Sequence, residues 1–581
     1  MSRRLQLTAL TGVVVAVAAA AVAPAAVASS PRVLRVGSWH GIAGTYHSVQ
    51  AAVDAAHPGD WVLIGPGDWK EHGDTTTHKP ASGDAGWAVT IEKADLHLRG
   101  MNRNSVVIDG TKTGTARCSA RPGDQNFGGS AGRSGIVVYK VNGVTIDNLT
   151  ACNFLGEGNQ IWWNGGDGSG HVGMAAYSGS YLTATSTYFK SGGKNGEYGI
   201  FVSDAKGPGL ITRTYASNMA DSSYYIGACP DCNAVLDRPW AEHSALGYSG
   251  TNSGGHLIIQ NGQWDDNQSG IVSNSQNNDD APSPQDGTCP NGTGSCEIWR
   301  NNYVHDNNDP NVPQDAGVAS AGPVGTGMVI AGGRFDTVID NRIAHNNAWG
   351  VLTVPYPDTE VPPSGIGQDC NGGFAHAGLN QLGGTGFVPC YFSDWGNEIA
   401  HNTFTANGSY GNPTNGDIAD LSTPPLEDPA APGNCWHDNT NTGGSVSSWP
   451  VTLQTTQSTC GLPVYPDPAS TSVLTVQVVC DTGFFQTVSS SFPSCSLPAA
   501  VNYPQSTTIT TKPLPAHLQT MPDPCKGVPA NPWCAASGSS TGSRTTNGSG
   551  LAATGLPVAL PVGAAGAVGA ALLLLRRRRR V

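Results

Sequence analysis

Charged residues are scarce in this sequence. Asp, Glu, Lys and Arg make up 13% of the chain, about half of the usual ~25%. Stretches with the spacing of a long amphipathic helix are also few. Short apolar runs bounded by Gly, Asn and Asp take their place, and Gly alone fills 76 of the 581 positions. This pattern predicts a mostly β chain.

Basic residues are rarer still away from the two ends. Arg3, Arg4 and the arginines 576–580 are seven of the 30 basic residues, and both ends lack acidic residues. Between residues 29 and 554, 23 basic residues face 43 acidic ones, a net charge near −20. This charge argues against nucleic acid or any other polyanion as a direct partner. A polyanionic substrate would need a bridging cation such as Ca²⁺.

The N-terminal end has the features of a secretory signal. Arg3 and Arg4 precede an apolar run from Leu5 to Ala23, and residues 26–28 read Ala-Val-Ala. A basic start, an apolar stretch and an A-x-A site are typical of a signal peptide that is removed on export. We therefore expect residues 1–28 to be cleaved and the remaining protein to be extracellular.

The C-terminal end predicts attachment to the cell surface. Residues 536–550 are a Ser/Gly/Thr-rich flexible linker, and Leu556 to Leu575 form an uncharged run of 20 residues before the arginines. Such a run can cross the ~30 Å hydrocarbon core of a membrane, and the arginines would hold its end in the cytoplasm. An ordinary C-terminal membrane anchor is one interpretation.

The pentapeptide before that run suggests a second interpretation. Its residues are Leu551, Ala552, Ala553, Thr554 and Gly555. Pentapeptide, apolar span and basic tail together, residues 551–581, resemble the sorting signal of sortase-anchored surface proteins of Gram-positive bacteria, in a variant of actinobacterial type. The resemblance implies that a sortase cleaves after Thr554 and joins Thr554 to a cell-wall precursor. The mature protein would then be displayed on the outer surface of the wall.

Fourteen cysteines in an exported chain indicate disulfides. Proximity in sequence suggests seven pairs: Cys118/Cys152, Cys229/Cys232, Cys289/Cys296, Cys370/Cys390, Cys435/Cys460, Cys480/Cys495 and Cys525/Cys534. The Cys229-Pro-Asp-Cys232 motif also fits a redox motif or half of a zinc site. However, a second C-x-x-C motif and a thioredoxin-like βαβ pattern are both missing.

A repeat is present between residues 145 and 407. It has an apolar anchor, then Asn, Arg or His two positions later, then a polar cluster. The anchors are Ile146, Ile211, Leu236, Ile259, Ile298, Ile339 and Ile399. The shortest spacings are in the low twenties, and the longer ones contain inserts at 276–296, 307–325 and 355–395. The last spacing leaves room for one more repeat. A short β period of this size predicts a solenoid with Asn at its corners.

These repeats resemble those of right-handed parallel β-helix proteins of the pectin-lyase-like superfamily. Residues 48–72 resemble the N-terminal cap of that superfamily: Val49, Ala52, Val53 and Ala56 share one helical face, and Trp61–Ile64 follows as a strand. We therefore predict an all-β, right-handed parallel β-helix over 29–410 with a cap helix. A loop-rich, disulfide-stapled segment with short β runs is expected over 411–535. This fold hosts lyases, hydrolases, esterases, epimerases and adhesins, so it does not fix an activity.

The densest mixture of carboxylate, Arg and His lies between Asp237 and Asp306. From it we take Arg238, His243, Asp266 and His305 as candidate catalytic residues. The repeat alignment places Arg238 and Arg300 in one column. It places His243, Asp266 and His305 in another. Clustered Asp could hold Ca²⁺ to neutralise a uronate, with Arg or His as the base. A structural alternative explains the same residues equally well. Ladders of polar side chains at the corners would stabilise the stacked rungs without any catalysis.

Two aromatic pairs, Trp162-Trp163 and Tyr224-Tyr225, offer rings for stacking on sugars. Adjacent residues of a strand point to opposite faces, so one ring of each pair is expected inside and one outside. Signature motifs of the esterases and polygalacturonases are missing. Two functions remain open: a surface protein that binds or processes a polysaccharide, as a lyase or epimerase would, and a structural or adhesive protein without chemistry.

Overall fold

A computed structural model describes residues 30–73, 86–127, 132–167, 169–193, 195–275, 297–314, 322–358, 374–375, 390–424, 430–481 and 503–534. It confirms the predicted fold, an all-β right-handed parallel β-helix. Three long parallel sheets run along the solenoid, and each rung visits sheet 1, sheet 2 and sheet 3 in that order.

Sheet 1 consists of Val33–Val36, Trp61–Ile64, His97–Gly100, Val144–Asp147, Met174–Ser180, Ala205–Thr212, Ala234–Asp237, Leu257–Gln260, Glu297–Arg300, Thr337–Ile339, Glu398–Ala400 and Cys435–His437. Sheet 2 consists of Gly67–Trp69, Val106–Asp109, Thr150–Cys152, Thr183–Thr185, Tyr215–Ser217, Trp240–Glu242, Gln263–Asp265, Tyr303–His305, Arg342–Ala344, Thr403–Thr405 and Thr440–Asn441. Sheet 3 consists of Trp87–Ile91, Ser134–Tyr139, Ile161–Asn164, Tyr198–Ser203, Ser222–Gly227, Leu246–Thr251, Ser269–Asn274, Thr326–Ala331, Trp349–Val354, Gly416–Asp420 and Ser448–Trp449. We number the rungs 1 to 11 from the strand Trp61–Ile64 of sheet 1.

Short elements interrupt the solenoid. An antiparallel hairpin pairs Ser38–Trp39 with Ile42–Ala43. A small antiparallel sheet pairs Cys390–Phe392 with Tyr356–Asp358 and Phe374–Ala375. A 3₁₀ turn covers Pro122–Asp124. The last gap between anchors contains no further rung, because the sheet 1 strands Thr337–Ile339 and Glu398–Ala400 pair directly.

The cap helix forms where the sequence predicts it. Helix α1 spans Val49–Ala55, and the Ser48 side chain accepts a hydrogen bond from the backbone N–H of Ala51. Val49, Ala52 and Val53 are buried in the main core. A helix over the open end of a solenoid satisfies an edge that would otherwise pair with another chain.

The repeat alignment is one residue wrong in two rungs. Ile259 pairs with Trp299, and Trp299 pairs with Val338. Trp299 and Val338 are therefore the buried residues of rungs 8 and 9, whereas the predicted anchors Ile298 and Ile339 are only half-buried. A shift of one residue exchanges the two faces of a strand. Where an isoleucine stands next to a tryptophan or a valine, both residues are apolar, so the sequence does not indicate which of the two is buried.

Buried asparagines form hydrogen-bonded ladders at two corners. Asn302, Asn341, Asn402 and Asn439 follow sheet 1, and each side-chain oxygen accepts from the backbone N–H of the preceding member. Asn267, Asn307, Asn346 and Asn407 form a similar ladder after sheet 2. The residues with positive φ are mostly their immediate neighbours, such as Asn301 and Asp340. Asn therefore occupies these positions because of its amide hydrogen bonds, and the left-handed conformation belongs to the residue before it.

The solenoid also continues past residue 410. The strands Gly416–Asp420 and Cys435–His437 pair with the preceding rung, so the predicted boundary at 410 is too early. One of the short β runs predicted within 411–535 is not a strand. Its residues, Val473–Cys480, lie in a helix, α3, over Pro468–Asp481. A shorter helix, α2, spans Leu453–Thr456. Branched apolar residues favour strands, but in α3 Leu474 and Val478 lie four residues apart and pack on one side.

Four of the predicted disulfides are present: Cys118–Cys152, Cys229–Cys232, Cys435–Cys460 and Cys525–Cys534. The 229–232 motif is thus a disulfide. Cys480 is also disulfide-bonded, and its predicted partner Cys495 lies outside the described residues. The predictions for Cys289, Cys296 and Cys370 likewise fall outside them, as do the signal peptide and the sorting signal. In the described ranges, no helix has the length and apolar character needed to cross a membrane.

Residues 503–534 form an extended segment that we call the strap. The strap runs back along the solenoid against sheet 2. Asn311 accepts hydrogen bonds from Thr507 and Thr508 near rung 8. At the other end, the Trp533 indole donates to the carbonyl of Ile42, before rung 1. Residues 503–534, which belong to the disulfide-stapled C-terminal segment predicted over 411–535, therefore pack on the β-helix.

A buried carboxyl predicts how stability depends on pH. Glu297 accepts a hydrogen bond from the Trp299 indole, and burial raises its pKa from the usual 4.5 to about 7. Asp336, also buried, has its pKa raised in the same way. Because the folded protein favours the protonated Glu297, this contribution is complete below pH 4.5 and is lost as pH rises through about 7. We expect stability to fall by about 3 kcal/mol between pH 4 and pH 8. The difference in thermal unfolding between the wild type and a Glu297→Gln variant, followed across pH, should show this fall.

Candidate functional site

The four predicted catalytic residues lie around the outer face of sheet 2. Arg238 occupies the turn between sheets 1 and 2, with φ 52°. His243 and Asp266 occupy the turn between sheets 2 and 3, both with φ 54°. His305 is the last residue of the sheet 2 strand Tyr303–His305. Arg238 is therefore on the opposite edge of sheet 2 from the other three.

The predicted columns are each off by one residue. Arg300 pairs with Gln260 in sheet 1, so the residue level with Arg238 and Asn261 is Asn301. Glu242 pairs with Asp265, and Asp265 pairs with His305. The corner column is therefore His243, Asp266 and Asp306. Both errors follow from the slip at the Ile298 anchor.

The turn geometry brings three carboxylates together. Oxygens of Glu242, Asp265 and Asp266 all lie within 4.8 Å of one another. Two adjacent residues within a strand would point their side chains to opposite faces. Asp266, with its positive φ, does begin a turn, so the two carboxylates meet beside Glu242.

Lys512 of the strap supplies the positive charge at this cluster. Its ammonium nitrogen lies 2.5 Å from Glu242 Oε2 and 2.8 Å from Asp266 Oδ2. Burial alone would lower the pKa of Lys512, but hydrogen bonds to Asp266 and Glu242 outweigh it and raise that pKa above the usual lysine value. Carboxylate oxygens are suitable Ca²⁺ ligands. In this arrangement, however, two of the three already bind the lysine.

The strap also engages His243. The imidazole Nε2 lies 3.2 Å from the carbonyl oxygen of Thr510 and 3.1 Å from its hydroxyl. The other ring nitrogen lies 3.4 Å from a carboxylate oxygen of Asp309. His243 is 5% exposed, so the strap and this carboxylate enclose it.

His305 is held between an aspartate and a tyrosine. Its Nδ1 lies 2.8 Å from Asp306 Oδ2, and its ring stacks on Tyr303 with centroids 3.8 Å apart. Its Nε2 is 4.0 Å from Asp265 Oδ1. Burial raises the pKa of Asp265 to about 6, and nearby His305 acts in the opposite direction. Asp265 also accepts a hydrogen bond from the Trp240 indole.

The outer face of sheet 3 carries a row of aromatic side chains that the sequence analysis did not assemble. We call Trp87, Tyr139, Trp162, Tyr198, Phe201 and Tyr225 the aromatic row. These six residues occupy rungs 1 to 5. Ring centroids of neighbouring members are 4.4 to 6.3 Å apart, and Trp162 stacks on Phe201 with an interplanar angle of 15°.

Trp162 and Tyr225 come from the two aromatic pairs in the sequence. Their partners Trp163 and Tyr224 are buried in the core, which confirms the expected alternation. The row itself was missed because its members are unevenly spaced along the chain. Inserts of different length separate the rungs, so only the pairing of strands shows that Trp162, Phe201 and Tyr225 share one column.

The same outer column changes character along the solenoid. Beyond Tyr225 it continues as Ser249, Val272, Val329 and Leu352. Val329 and Leu352 are packed under Leu474 and Val478 of helix α3. Aliphatic side chains therefore occur where α3 covers sheet 3, and aromatic side chains occur at the other end.

Polar side chains accompany the aromatic row. Asn164, Ser203, Thr251 and Asn274 lie two positions further along their strands, and Ser203 accepts a hydrogen bond from the Trp162 indole. Thr251 donates to the side-chain oxygen of Asn274. Among the described residues, the indole N–H of Trp87 and the side-chain N–H₂ of Asn274 have no hydrogen-bond partner.

The positions of the inserts 276–296 and 355–395 along the chain indicate which sheet they border. They follow the strands Ser269–Asn274 and Trp349–Val354, both in sheet 3. Both inserts therefore begin at the end of a sheet 3 strand. The candidate residues placed beside them, however, belong to sheet 2 and its turns.

Comparison with known proteins gives structural similarities only. No known protein family and no curated protein matches the sequence. The A-module of mannuronan C-5 epimerase AlgE4 from Azotobacter vinelandii is 14% identical, with 68% of this chain and 90% of that chain covered and a TM-score of 0.39. Pectin methylesterase PemA from Erwinia chrysanthemi is 11% identical, with coverage of 74% and 95% and a TM-score of 0.28. An alginate lyase from Paenibacillus is 15% identical, with coverage of 56% and 91% and a TM-score of 0.25. Those activities belong to those proteins, and the β-helix assignment here stands on strand order and register.

Proposed function

We propose that this protein is a surface-displayed β-helix that binds a polysaccharide along the aromatic row of sheet 3. The observation that carries the proposal is the row itself: six rings over five successive rungs. Tyr139, Trp162 and Phe201 on rungs 2 to 4 are half-buried and present part of their rings at the surface, whereas Trp87, Tyr198 and Tyr225 are buried beside them. Successive rungs are ~4.8 Å apart, so the row is about 19 Å long and its part-exposed portion about 10 Å. An extended sugar chain lying along the solenoid axis matches that direction and spacing.

The chemistry of the face suits a carbohydrate. The C–H faces of pyranose rings pack on aromatic rings, and tryptophan and tyrosine offer both an apolar surface and a polar group. Beside the rings on rungs 3 and 4, Asn164 and Ser203 have polar side-chain groups that suit sugar hydroxyls, and each is about 6% exposed. Ligand pockets commonly combine an apolar surface with a few such polar groups. A strongly acidic body also favours a neutral glycan over a polyanion.

Sheet 2 is the less suitable face for a ligand. Lys512 binds Glu242 and Asp266, and Thr510 contacts His243, so the predicted catalytic residues already have partners within the chain. The raised pKa of Asp265 beside His305 favours a second candidate function, acid–base processing of a glycan at this cluster. That function would require the strap to leave sheet 2.

Secretion and wall attachment complete the proposal. The signal peptide at 1–28 and the sorting signal at 551–581 are its support, and sortase and a cell-wall precursor would be the partners. Before sorting, the span 556–575 would hold the protein in the membrane. The alternative is a structural or adhesive surface protein in which the aromatic row only packs.

Glycan binding should depend on Trp162. Removing its ring should weaken binding at least tenfold, because about 2 kcal/mol of stacking is lost. The experiment screens purified 29–554 protein against a glycan panel, with and without Ca²⁺, and then titrates the best glycan into the wild type and Trp162→Ala.

Tyr303→Ala provides the matched control. Tyr303 is also a half-buried outer aromatic residue in a parallel sheet, but it lies on sheet 2, so its loss should leave binding unchanged. Thermal unfolding should first show that both variants are folded. Unchanged affinity in Trp162→Ala, or an equal loss in Tyr303→Ala, would contradict the placement on sheet 3.

A further inference from the structure

The strap carries the chain from the middle of the solenoid back to its beginning. Near rung 8, the Tyr503 hydroxyl accepts a hydrogen bond from the backbone N–H of Val324. At rung 5, the backbone N–H of Lys512 donates to Asn218. At rung 3, the Thr520 hydroxyl donates to Asn148. The strap therefore runs antiparallel to the direction in which the rungs are added.

The end of the strap is fixed at the capped end of the solenoid. Trp533 packs with Trp61, Leu63 and Met101 on the first rungs, and its indole donates to the Ile42 carbonyl at 2.9 Å. The disulfide Cys525–Cys534 closes the last loop of the strap. The remaining chain, which leads to the predicted sorting signal, thus leaves from the first-rung end.

Several charged contacts hold the strap along its length. Arg99 donates to the carbonyl oxygens of Pro524 and Lys526, and Arg103 donates to that of Gln519. Lys512 forms the two ion pairs with Glu242 and Asp266 described above. Because these contacts occur on several rungs, release of the strap would require many of them to break together.

We propose that the protein is displayed with its capped first rung toward the cell wall and its last rung outward. Residues 535–554 would behave as a flexible coil of about 25 Å end-to-end distance. The eleven rungs extend about 50 Å. The aromatic row occupies rungs 1 to 5, so it would lie near the wall, within reach of glycan strands of the same cell.

This proposal rests on the proposed function and makes it more specific. It names the ligand as a glycan of the cell's own envelope. A partner that arrives from outside would first meet the later rungs, where helix α3 covers sheet 3 at rungs 8 to 10.

The test places one peptide epitope at either end of the solenoid. The near epitope is inserted between Thr113 and Gly114, exposed residues after the rung 2 strand of sheet 2. The far epitope is inserted between Gly461 and Leu462, exposed residues next to the Cys435–Cys460 disulfide of rung 11. Purified proteins should bind the epitope antibody equally, which shows that each insertion is folded and recognised.

On intact cells we expect the far epitope to bind at least five times more antibody than the near one. A third protein carries the near epitope and 40 additional Gly/Ser residues after residue 540. In it the near epitope should bind as well as the far one. Equal binding without the longer linker, stronger near binding, or a difference that persists with the longer linker would overturn the orientation.

Two further measurements separate this inference from the proposed function. Thr554→Ala should release the protein from detergent-extracted walls into the membrane or the medium. Detergent-resistant attachment of this variant would refute the sortase prediction itself. Purified protein should also sediment with sacculi from the same bacterium, and Trp162→Ala should reduce this at least tenfold. If the protein binds a panel glycan but not the sacculi, glycan binding stands and the envelope ligand is wrong.

Discussion

Replacing Arg103 with methionine should lower the free energy of unfolding by about 3 kcal/mol. Arg103 is 3% exposed. Its guanidinium donates to the Thr183 hydroxyl and to the carbonyl oxygens of Leu182, Arg213 and Gln519. Methionine keeps much of the aliphatic packing but donates no hydrogen bond. Four acceptors would lose this donor. Thr183 and Leu182 are buried, and although the Leu182 carbonyl keeps its bond from the backbone N–H of Tyr215, a buried acceptor that loses a partner is costly.

Charge accounts for the size of this effect. Burial lowers the pKa of Arg103 to about 10, with smaller opposite contributions from Tyr224 and Tyr215, so the group remains charged at neutral pH. Its hydrogen bonds go to neutral oxygens, and these bonds offset the cost of its burial. One side chain thereby joins rungs 2, 4 and 5 to the strap.

Chemical denaturation should measure the loss, and hydrogen exchange should show where it begins. We expect faster exchange in the strap near Leu518 and Gln519 than in the core strands, because the strap depends on Arg103. Arg238→Met is the matched control: its guanidinium is half-exposed and pairs with Asp237, so the change should cost less than about 1 kcal/mol. Equal stability of the two variants would show that Arg103 does not join the strap to the solenoid.

Replacing Asn341 with alanine should cost about 3 kcal/mol. Its side-chain oxygen accepts from the backbone and side-chain N–H groups of Asn302. Its own N–H₂ donates to the carbonyl of Trp299 and to Asn402. Alanine removes all four hydrogen bonds at a position that is 2% exposed. It also interrupts the ladder, in which each amide orients the next.

Asn301→Ala tests whether the ladder, rather than the turn, is responsible. Asn301 is the exposed neighbour with φ 54°, and alanine there should cost only about 1–2 kcal/mol for the left-handed conformation. Urea denaturation should therefore separate the two variants. If Asn301→Ala is the more destabilised, then backbone conformation dominates at this corner and the amide ladder is secondary.

The pattern of repeats was sufficient to predict the solenoid and its cap. Short apolar runs at a period in the low twenties can bury their faces only by stacking. The residues from Ser48 to Ile64 combined an amphipathic helix with a strand, and both formed at the predicted places. Cysteine proximity also identified four disulfides correctly. A rung returns the chain close to its starting point, which joins Cys118 to Cys152 and Cys435 to Cys460, and the other two disulfides close short local loops.

The precise alignment of rungs could not be predicted. In rung 8 both Ile298 and Trp299 can fill a core position, and the choice depends on the neighbouring strands above and below. Because Trp299 and not Ile298 is buried, Asn301 and not Arg300 lies level with Arg238. Site columns inferred from the repeats were therefore wrong by one position, although the residues lie in the expected region.

Sequence by itself determined the β-helix, its cap and its disulfides, because local periodicity and chain proximity carry that information. Its predictions of secretion and wall attachment rest on the terminal segments. Only the tertiary structure decided which side chains from distant parts of the chain are neighbours. Lys512 is some 270 residues from Glu242 in the chain, and Trp87 is far along the chain from Trp162, yet the returning strap and the stacking of strands bring each pair into contact. Contacts of this kind depend on the lengths of the inserts and the path of the strap, neither of which a repeat pattern encodes.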